Sequence, residues 1–242
     1  MQNHAENSLA NDYAAALDWW RGAGVDCDFN DEPQSWLEDP EEVRKPAPPP
    51  SEVGKKAEET PHTPSITKDM LPADLAAFQS WWADKDTPLP GGSQTRVAPR
   101  GGVDASLMIL APMPEIDDRE TLLSAAQGKL ISNIAKAIGV DPASVYWASA
   151  LPANMPLPDW AALKADGLGE AVKHHIALAK PQRLLIFGSK LPALLGHDAD
   201  APPEKFSELG GFPALTTFAP ERLLDHPRQR ARLWHRLLQW TA

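Results

Sequence analysis

The sequence predicts an α/β domain with a parallel sheet, preceded by an amphipathic helix and a proline-rich linker. Short apolar runs alternate with segments of helical periodicity, which is typical of parallel strands joined by helices. A stretch rich in proline and poor in large apolar residues separates this pattern from the N-terminus. At 242 residues, the chain is long enough for one such core with appendages.

Composition excludes several classes of protein. Cys27 is the only cysteine, so a disulfide framework, a cysteine-rich zinc site and an all-cysteine iron–sulfur cluster are excluded. No window approaches the ~20 apolar residues that cross a bilayer, and residues 1–13 lack the pattern of a secretion signal. We therefore expect a soluble cytoplasmic protein with no cofactor, no bound metal and no membrane contact.

Acidic residues are concentrated in the N-terminal part of the chain. Residues 1–102 hold 9 Lys and Arg against 18 Asp and Glu, a net charge of −9, whereas residues 103–242 hold 14 against 15. Acidic side chains oppose contact with a phosphate backbone, so this distribution argues against an N-terminal arm that binds nucleic acid.

Residues 1–37 are predicted to form an N-terminal helical segment. Apolar side chains recur at helical spacing between residues 8 and 23: Leu9, Tyr13, Leu17 and Trp20. A lone helix of this length is marginal in water, so its apolar stripe needs a surface to pack on. Two alternatives stay open. The helix packs on its own domain, or it docks on another protein through Leu17, Trp19 and Trp20.

Residues 38–71 are predicted to form a flexible linker. This segment contains Pro46 and the run Pro48–Pro50 and has almost no large apolar side chain. It cannot bury enough surface to offset the entropy of ordering. The long tether favours docking of the helix on a partner, because a segment that only completes a core does not need it.

Residues 72–242 are predicted to form the domain. A first helix is expected from Pro72 to Trp82, because proline suits the first helical position. Apolar runs predict four strands, at residues 106–110, 145–150, 183–188 and 213–218. Helical periodicity predicts the other helices, at residues 121–138, 159–179, 191–195 and 227–240.

A search for catalytic motifs finds none of the common ones. The chain lacks GxGxxG after a strand, GxxxxGK[ST], GxSxG and HExxH. The Gly188-Ser189-Lys190 sequence lacks the preceding glycine of a phosphate loop and is interpreted as a turn between a strand and a helix. His174 and His175 point about 100° apart on a helix and are interpreted as a surface or partly packed pair.

Loops beyond the carboxyl ends of the strands are the expected place for a ligand. Glu115, Asp117 and Asp118 follow the first strand and are predicted to be solvated caps of the next helix, with a catalytic role as the alternative. His226 precedes the last helix, and a plain turn is favoured over a position at the rim of a cleft.

Five stretches of the domain resemble a known family. They are residues 109–113, 127–130, 145–149, 184–188 and 217–224. Their order and loops resemble the uracil-DNA glycosylase superfamily, in particular its family-4-like branch. The resemblance implies a three-layer fold with a central parallel sheet. It also implies that the pocket loops contain Ala111, Pro112, Met113, Ser149 and Pro220.

The same resemblance implies that the chemistry is lost. Leu110 stands where the family has a carboxylate that positions or activates water, and leucine can do neither. Ser149 replaces the asparagine that reads the base, and Ala219 replaces the histidine that stabilises the departing uracil anion. The alternative is an active glycosylase, for uracil or another damaged base, that uses other groups: Glu115, Asp118 or His226.

The order of tail, linker and empty domain is also similar to the psi-subunit family of bacterial DNA polymerase III. That family has an N-terminal tail with tryptophans that binds the clamp loader, and here the sequence Asp18-Trp19-Trp20 stands in the tail. The resemblance implies an accessory or adaptor role in DNA replication or repair. It implies a protein partner, the clamp loader or another replisome component.

The predicted last helix has an apolar face and a basic stripe. The apolar face consists of Ala231, Trp234, Leu237 and Leu238. Arg228, Arg232 and Arg236 recur every four residues on another face, with Arg222 nearby. This stripe predicts a weak contact with DNA phosphates. An ordinary solvated helix face is the alternative.

Overall fold

The computed structural model describes residues 9–22, 65–198 and 202–241. The chain divides into two compact units, Met1–Ala57 and Glu58–Ala242. The described part of the first unit is helix α1 (Leu9–Gly22), in which residues 13–20 are all exposed. Residues 23–37 of the predicted helical segment and residues 38–64 of the predicted linker lie outside the described residues.

A five-stranded, mostly parallel sheet forms the centre of the second unit. Its strands are β1 (Met108–Ala111), β2 (Tyr146–Ser149), β3 (Leu184–Phe187), β4 (Glu208–Leu209) and β5 (Phe212–Thr217). The order is β2-β1-β3-β5-β4, and β4 pairs antiparallel with β5 while the other pairs are parallel. The predicted α/β class with a parallel sheet is confirmed. Strand β4 was not predicted, because two residues are too few for a recognisable apolar pattern.

Helices cover both faces of the sheet. They are α2 (Leu75–Ala83), α3 (Ala126–Ala137), α4 (Trp160–Ala165), α5 (Leu168–Ala179), α6 (Leu191–Leu194), α7 (Pro220–Asp225) and α8 (Pro227–Thr241). Successive strand residues point to opposite faces, so Met108 and Leu110 pack with α2, α5 and α6, whereas Ile109 packs with α3, α7 and α8. Of the described helices, none is long and apolar enough to cross a bilayer.

Two predicted helices have different boundaries in the structure. Helix α2 begins at Leu75, and not at Pro72, because Asp74 caps it by accepting a 2.9 Å hydrogen bond from the amide of Ala77. The predicted helix 159–179 is two helices, α4 and α5. They meet at Gly167, which has a φ of 90° and leaves room for the carbonyl oxygen of Ile66.

Ordered structure of the domain begins before Pro72. Ile66 lies in the predicted linker, yet its side chain is buried and its amide donates a 2.8 Å hydrogen bond to the carbonyl of Asp166. Lys68–Met70 then form a turn of 3-10 helix. Ile66 is one of the few large apolar residues in the predicted linker, and its burial accounts for the earlier start.

The last helix is rotated relative to the prediction. Leu233 and Leu237 are the buried residues of α8, four positions apart and therefore on one face. Three members of the predicted apolar face are exposed instead: Ala231, Trp234 and Leu238. The prediction was wrong for these three because the helix carries two apolar stripes, of which the sheet covers one.

Histidine and aromatic side chains join α2 to α5. The ring of Phe78 stacks on that of His175, with centroids 4.4 Å apart, and the Tyr146 hydroxyl lies 2.7 Å from Nε2 of His175. His175 is completely buried, which contradicts its interpretation as a surface or partly packed residue. Burial lowers the pKa of His175 to about 3 and raises the pKa of Tyr146 to about 12.

Candidate functional site

A cleft of about 600 Å³ opens at the carboxyl ends of the parallel strands. The loops that follow β1, β2 and β3 line it together with the start of α7 after β5. Apolar side chains such as Met113, Leu157 and Trp160 supply much of its wall, and Lys190 and Glu221 stand among its polar residues. This is the position at which open α/β sheets bind ligands.

Part of the predicted pocket lines this cleft. Pro112, Met113 and Pro220 do so, and the methyl group of Ala219 lies beside them. Ala111 and Ser149 do not, because they end β1 and β2 as paired, buried residues of the sheet. The hydroxyl of Ser149 donates a 2.7 Å hydrogen bond to the carbonyl of Leu151. Leu110 is also completely buried, in the core on the α5 side of the sheet.

Glu115 is a buried helix cap beside the cleft. One carboxylate oxygen accepts hydrogen bonds from the amides of Ala125 and Gly128, and the other accepts one from the amide of Gln127, all at 3.0 Å. These amides belong to the N-cap residue and the first turn of α3, where backbone amides have no intrahelical acceptors. Glu115 therefore caps the helix as predicted, but it is buried rather than solvated.

Asp118 is buried in the same loop and is fully engaged. One oxygen accepts from the amides of Glu115 at 2.8 Å and Leu123 at 2.7 Å. The other accepts from the amide of Ser124 at 2.9 Å and from its hydroxyl at 2.6 Å. Asp117, by contrast, is exposed and lines the cleft. The two buried carboxylates therefore hold the loop, whereas the carboxylate of Asp117 is exposed.

His226 lies outside the cleft. It is an exposed residue at the end of α7, and its Nδ1 donates a 3.0 Å hydrogen bond to the carbonyl of Arg222. Of the three groups weighed for an alternative glycosylase mechanism, only Glu115 lines the cleft. The structure therefore does not bring Glu115, Asp118 and His226 together at one point.

The segment between β2 and α4 supplies cleft residues that the sequence analysis missed. Leu157 is 98% exposed and has a left-handed φ of 52°, and Trp160, the first residue of α4, lines the cleft with it. Ile116, on the loop after β1, is 72% exposed and also lines the cleft. The prolines at 152, 156 and 158 mark this segment as irregular, but they do not indicate which side chains face the cleft.

Polar side chains at the cleft are partly tied to its walls. The Gln127 amide donates a 3.1 Å hydrogen bond to the carboxylate of Glu221, and the Asn154 amide donates a 2.8 Å hydrogen bond to the carbonyl of Pro114. Ser189 and Lys190 follow β3 and are exposed. Within the described ranges, no three His, Cys, Asp or Glu side chains form a group that would hold a metal ion.

The four arginines considered for nucleic-acid contact differ in their surroundings. Arg228 and Arg232 are exposed on α8. Arg236 is half-buried and donates to the carbonyl of Thr216, and its burial lowers the pKa of its guanidinium. The guanidinium of Arg222 lies 5.0 Å from the centre of the Phe218 ring. Arg228 and Arg232 are thus the best placed of the four to meet a ligand from solution.

Helix α1 exposes the three residues predicted to bind a partner. The exposed fractions are 40% for Leu17, 67% for Trp19 and 50% for Trp20. The two indole rings touch edge to face, with centroids 5.3 Å apart. No protein-family model matches the chain, and no curated protein matches it in sequence.

Proposed function

We propose that this protein is a non-catalytic adaptor of DNA replication or repair, with a uracil-DNA glycosylase-like domain and a docking helix, α1. The observation that carries the proposal is the exposure of Trp19 and Trp20 on a helix of 14 residues. A lone helix of this length is marginal in water, and tryptophans dominate protein interfaces once they are buried. Binding to a partner would both order the helix and cover its aromatic side chains.

The condition of the cleft supports the non-catalytic part of the proposal. Both carboxylate oxygens of Glu115 accept hydrogen bonds from backbone amides, and the side chain of Ala219 is only a methyl group. Ser149 is buried in the sheet with its hydroxyl bonded to a carbonyl. A glycosylase must grip the base edge and stabilise its anion with placed polar groups.

Within this proposal, a psi-like role is the narrower form. The order of an N-terminal tryptophan helix, a proline-rich segment and an α/β domain supports it. The partner of α1 would then be a clamp-loader subunit or another replisome component. Cofactors and metal ions have no part in such a role.

Affinity capture with the full chain tests the adaptor role. We expect replisome subunits to be retained by the full chain and lost with Trp19→Ala/Trp20→Ala, at an unchanged melting temperature. Val103→Ala, which truncates a 56% exposed apolar side chain elsewhere, is the matched control and should retain them. Equal retention by all three proteins would refute docking through α1. A lower melting temperature of the double variant would show that α1 stabilises its own chain.

An active glycosylase is the second candidate, and the 600 Å³ cleft is the observation that favours it. Incubation of the full chain with uracil-containing single-stranded DNA should release no uracil if the first proposal holds. Release that is lost in Asp117→Asn would instead establish catalysis in the cleft. Asp117 suits this test because its exposed carboxylate lines the cleft, whereas His226 lies outside it and Glu115 and Asp118 hold the loop by hydrogen bonds.

A further inference from the structure

The outer side of α8 carries an exposed apolar stripe. It consists of Ala231, Trp234 and Leu238, which follow one another at spacings of three and four residues. Trp234 is 39% exposed and Leu238 is 49% exposed, although Leu233 and Leu237 on the same helix are buried. A stripe at this spacing is the pattern by which one helix packs on another segment.

A basic stripe runs beside the apolar one. Arg228, Arg232 and His235 are exposed, and each lies within four residues of Ala231 along the helix. The sequence of α8 contains no acidic residue. We call the six side chains of the two stripes the α8 surface.

Other arginines of α8 are engaged in the fold. Arg230 donates hydrogen bonds to the carbonyls of Leu223 and Leu224, at 2.6 and 2.7 Å, where α7 ends. Arg236 donates to the carbonyl of Thr216 in β5. These two arginines fix α8 to the domain. Arg228 and Arg232 therefore lie on a firmly held helix, which favours binding because little further order is lost.

We propose that the α8 surface binds an acidic segment of another protein, one that carries aliphatic or aromatic side chains beside its carboxylates. Charge complementarity selects the acid, because a purely apolar partner would leave Arg228 and Arg232 without counter-charges. The apolar stripe favours a polypeptide over DNA, because a phosphate backbone has no apolar group that would cover the side chain of Leu238. This surface belongs to the domain and gives the domain a binding site of its own.

Peptide binding to the full chain tests this surface. The probe is a fluorescein-labelled synthetic peptide of about 15 residues, with leucine and phenylalanine at helical spacing and glutamate beside them. Fluorescence anisotropy should show saturable binding that weakens with added salt. Trp234→Ala and Leu238→Ala should each weaken it about tenfold, since central aromatic and aliphatic anchors carry most of an interface. Arg228→Glu/Arg232→Glu should weaken it at least as much, and added salt should no longer weaken the remaining binding, because glutamates then face the glutamates of the probe.

Matched controls separate this surface from the rest of the molecule. Lys129→Glu reverses an exposed charge on α3, and Val103→Ala truncates an exposed apolar side chain. Both should bind the probe within about twofold of the unaltered chain, because neither residue lies on α8. Trp19→Ala/Trp20→Ala should also bind normally. The α8 surface is thereby tested independently of docking through α1.

Several results would overturn the proposal. One is the absence of saturable binding, and another is equal binding of the probe with glutamine in place of glutamate. A third is binding of the probe that is unchanged by Trp234→Ala and Leu238→Ala but is displaced by a single-stranded oligonucleotide that needs the same arginines. That result would indicate a nucleic-acid surface. Each substituted side chain is exposed. The variants should therefore keep the melting temperature of the unaltered chain, so a loss of binding reports on the surface.

Discussion

The amide of Gly128 donates a 3.0 Å hydrogen bond to the buried carboxylate of Glu115. Ala125, the residue before the first turn of α3, makes no side-chain cap. The carboxylate of Glu115, ten residues before Ala125, therefore acts as the N-cap of α3. The loop that lines the cleft and the helix that follows it are consequently one structural unit.

Glu115→Gln should destabilise the domain. The glutamine side chain has one oxygen where the native carboxylate uses two, and its amino group would face a backbone N–H. We expect the free energy of unfolding in urea to fall by about 1–3 kcal/mol. Asp117→Asn, at an exposed position two residues on, should change it by less than about 0.5 kcal/mol. Equal stability of Glu115→Gln and the unaltered chain would show that the cap contributes nothing.

Gly128→Ala should destabilise the junction between the loop after β1 and α3 by a steric clash. A Cβ at this position would come within 1.8 Å of the carbonyl oxygen of Leu123, so the backbone must shift. We expect a loss of about 1–3 kcal/mol in urea unfolding, as for other overpacked sites. Gly102→Ala is the control, because a Cβ there meets nothing within 4 Å. If both variants unfold at the same urea concentration, the contact at Gly128 relaxes without cost.

Local patterns in the sequence predicted the sheet, whereas the break between α4 and α5 involves a long-range contact. The runs around Ile109 and Leu185 are apolar because both faces of a parallel sheet are buried, so they could be recognised without a partner. The break at Gly167 depends on the carbonyl of Ile66, a hundred residues away, and no local pattern records it.

The candidate site was predictable in position but not in detail. The location of the cleft follows from the rule for open α/β sheets, and Pro112, Met113 and Pro220 were predicted to lie there. The burial of Glu115 was missed because its partners are backbone amides, which every residue but proline has. The orientation of α8 was missed because Leu233 and Trp234 offer competing apolar faces.

Arg96→Lys should destabilise the segment before β1. The buried guanidinium of Arg96 donates to the carbonyls of Asp84, Thr87 and Leu89 and to the hydroxyl of Thr87. A lysine ammonium lacks the planar fork that reaches these acceptors together. We expect a loss of about 1–3 kcal/mol by urea unfolding. Arg228→Lys, at an exposed position on α8, is the control and should be nearly neutral. A neutral Arg96→Lys would mean that water satisfies the carbonyls equally well.

Stability should fall with pH below the ordinary pKa of histidine, because of His175. Its pKa is about 3 in the folded protein and 6.5 ordinarily, so between these values the unfolded chain binds a proton that the folded chain does not. The contribution of His175 to the free energy of unfolding is fully present above pH 6.5. It decreases by about 1.4 kcal/mol for each pH unit below that value, until the pH approaches 3. Urea unfolding at pH 7.5 and pH 5 should therefore differ by about 2 kcal/mol on this account.

His175→Gln separates this effect from the other titrating groups. We expect the variant to be less stable at pH 7.5, because the contact with Tyr146 is altered. Because glutamine does not titrate, the variant should lose about 2 kcal/mol less stability than the unaltered chain between pH 7.5 and pH 5. His226→Gln, at an exposed position on the same domain, should preserve the original pH dependence. Parallel pH curves for His175→Gln and the unaltered chain would mean that His175 takes up its proton in the folded state. The stacking of Phe78 on a neutral His175 ring would then not account for the packing of α2 against α5.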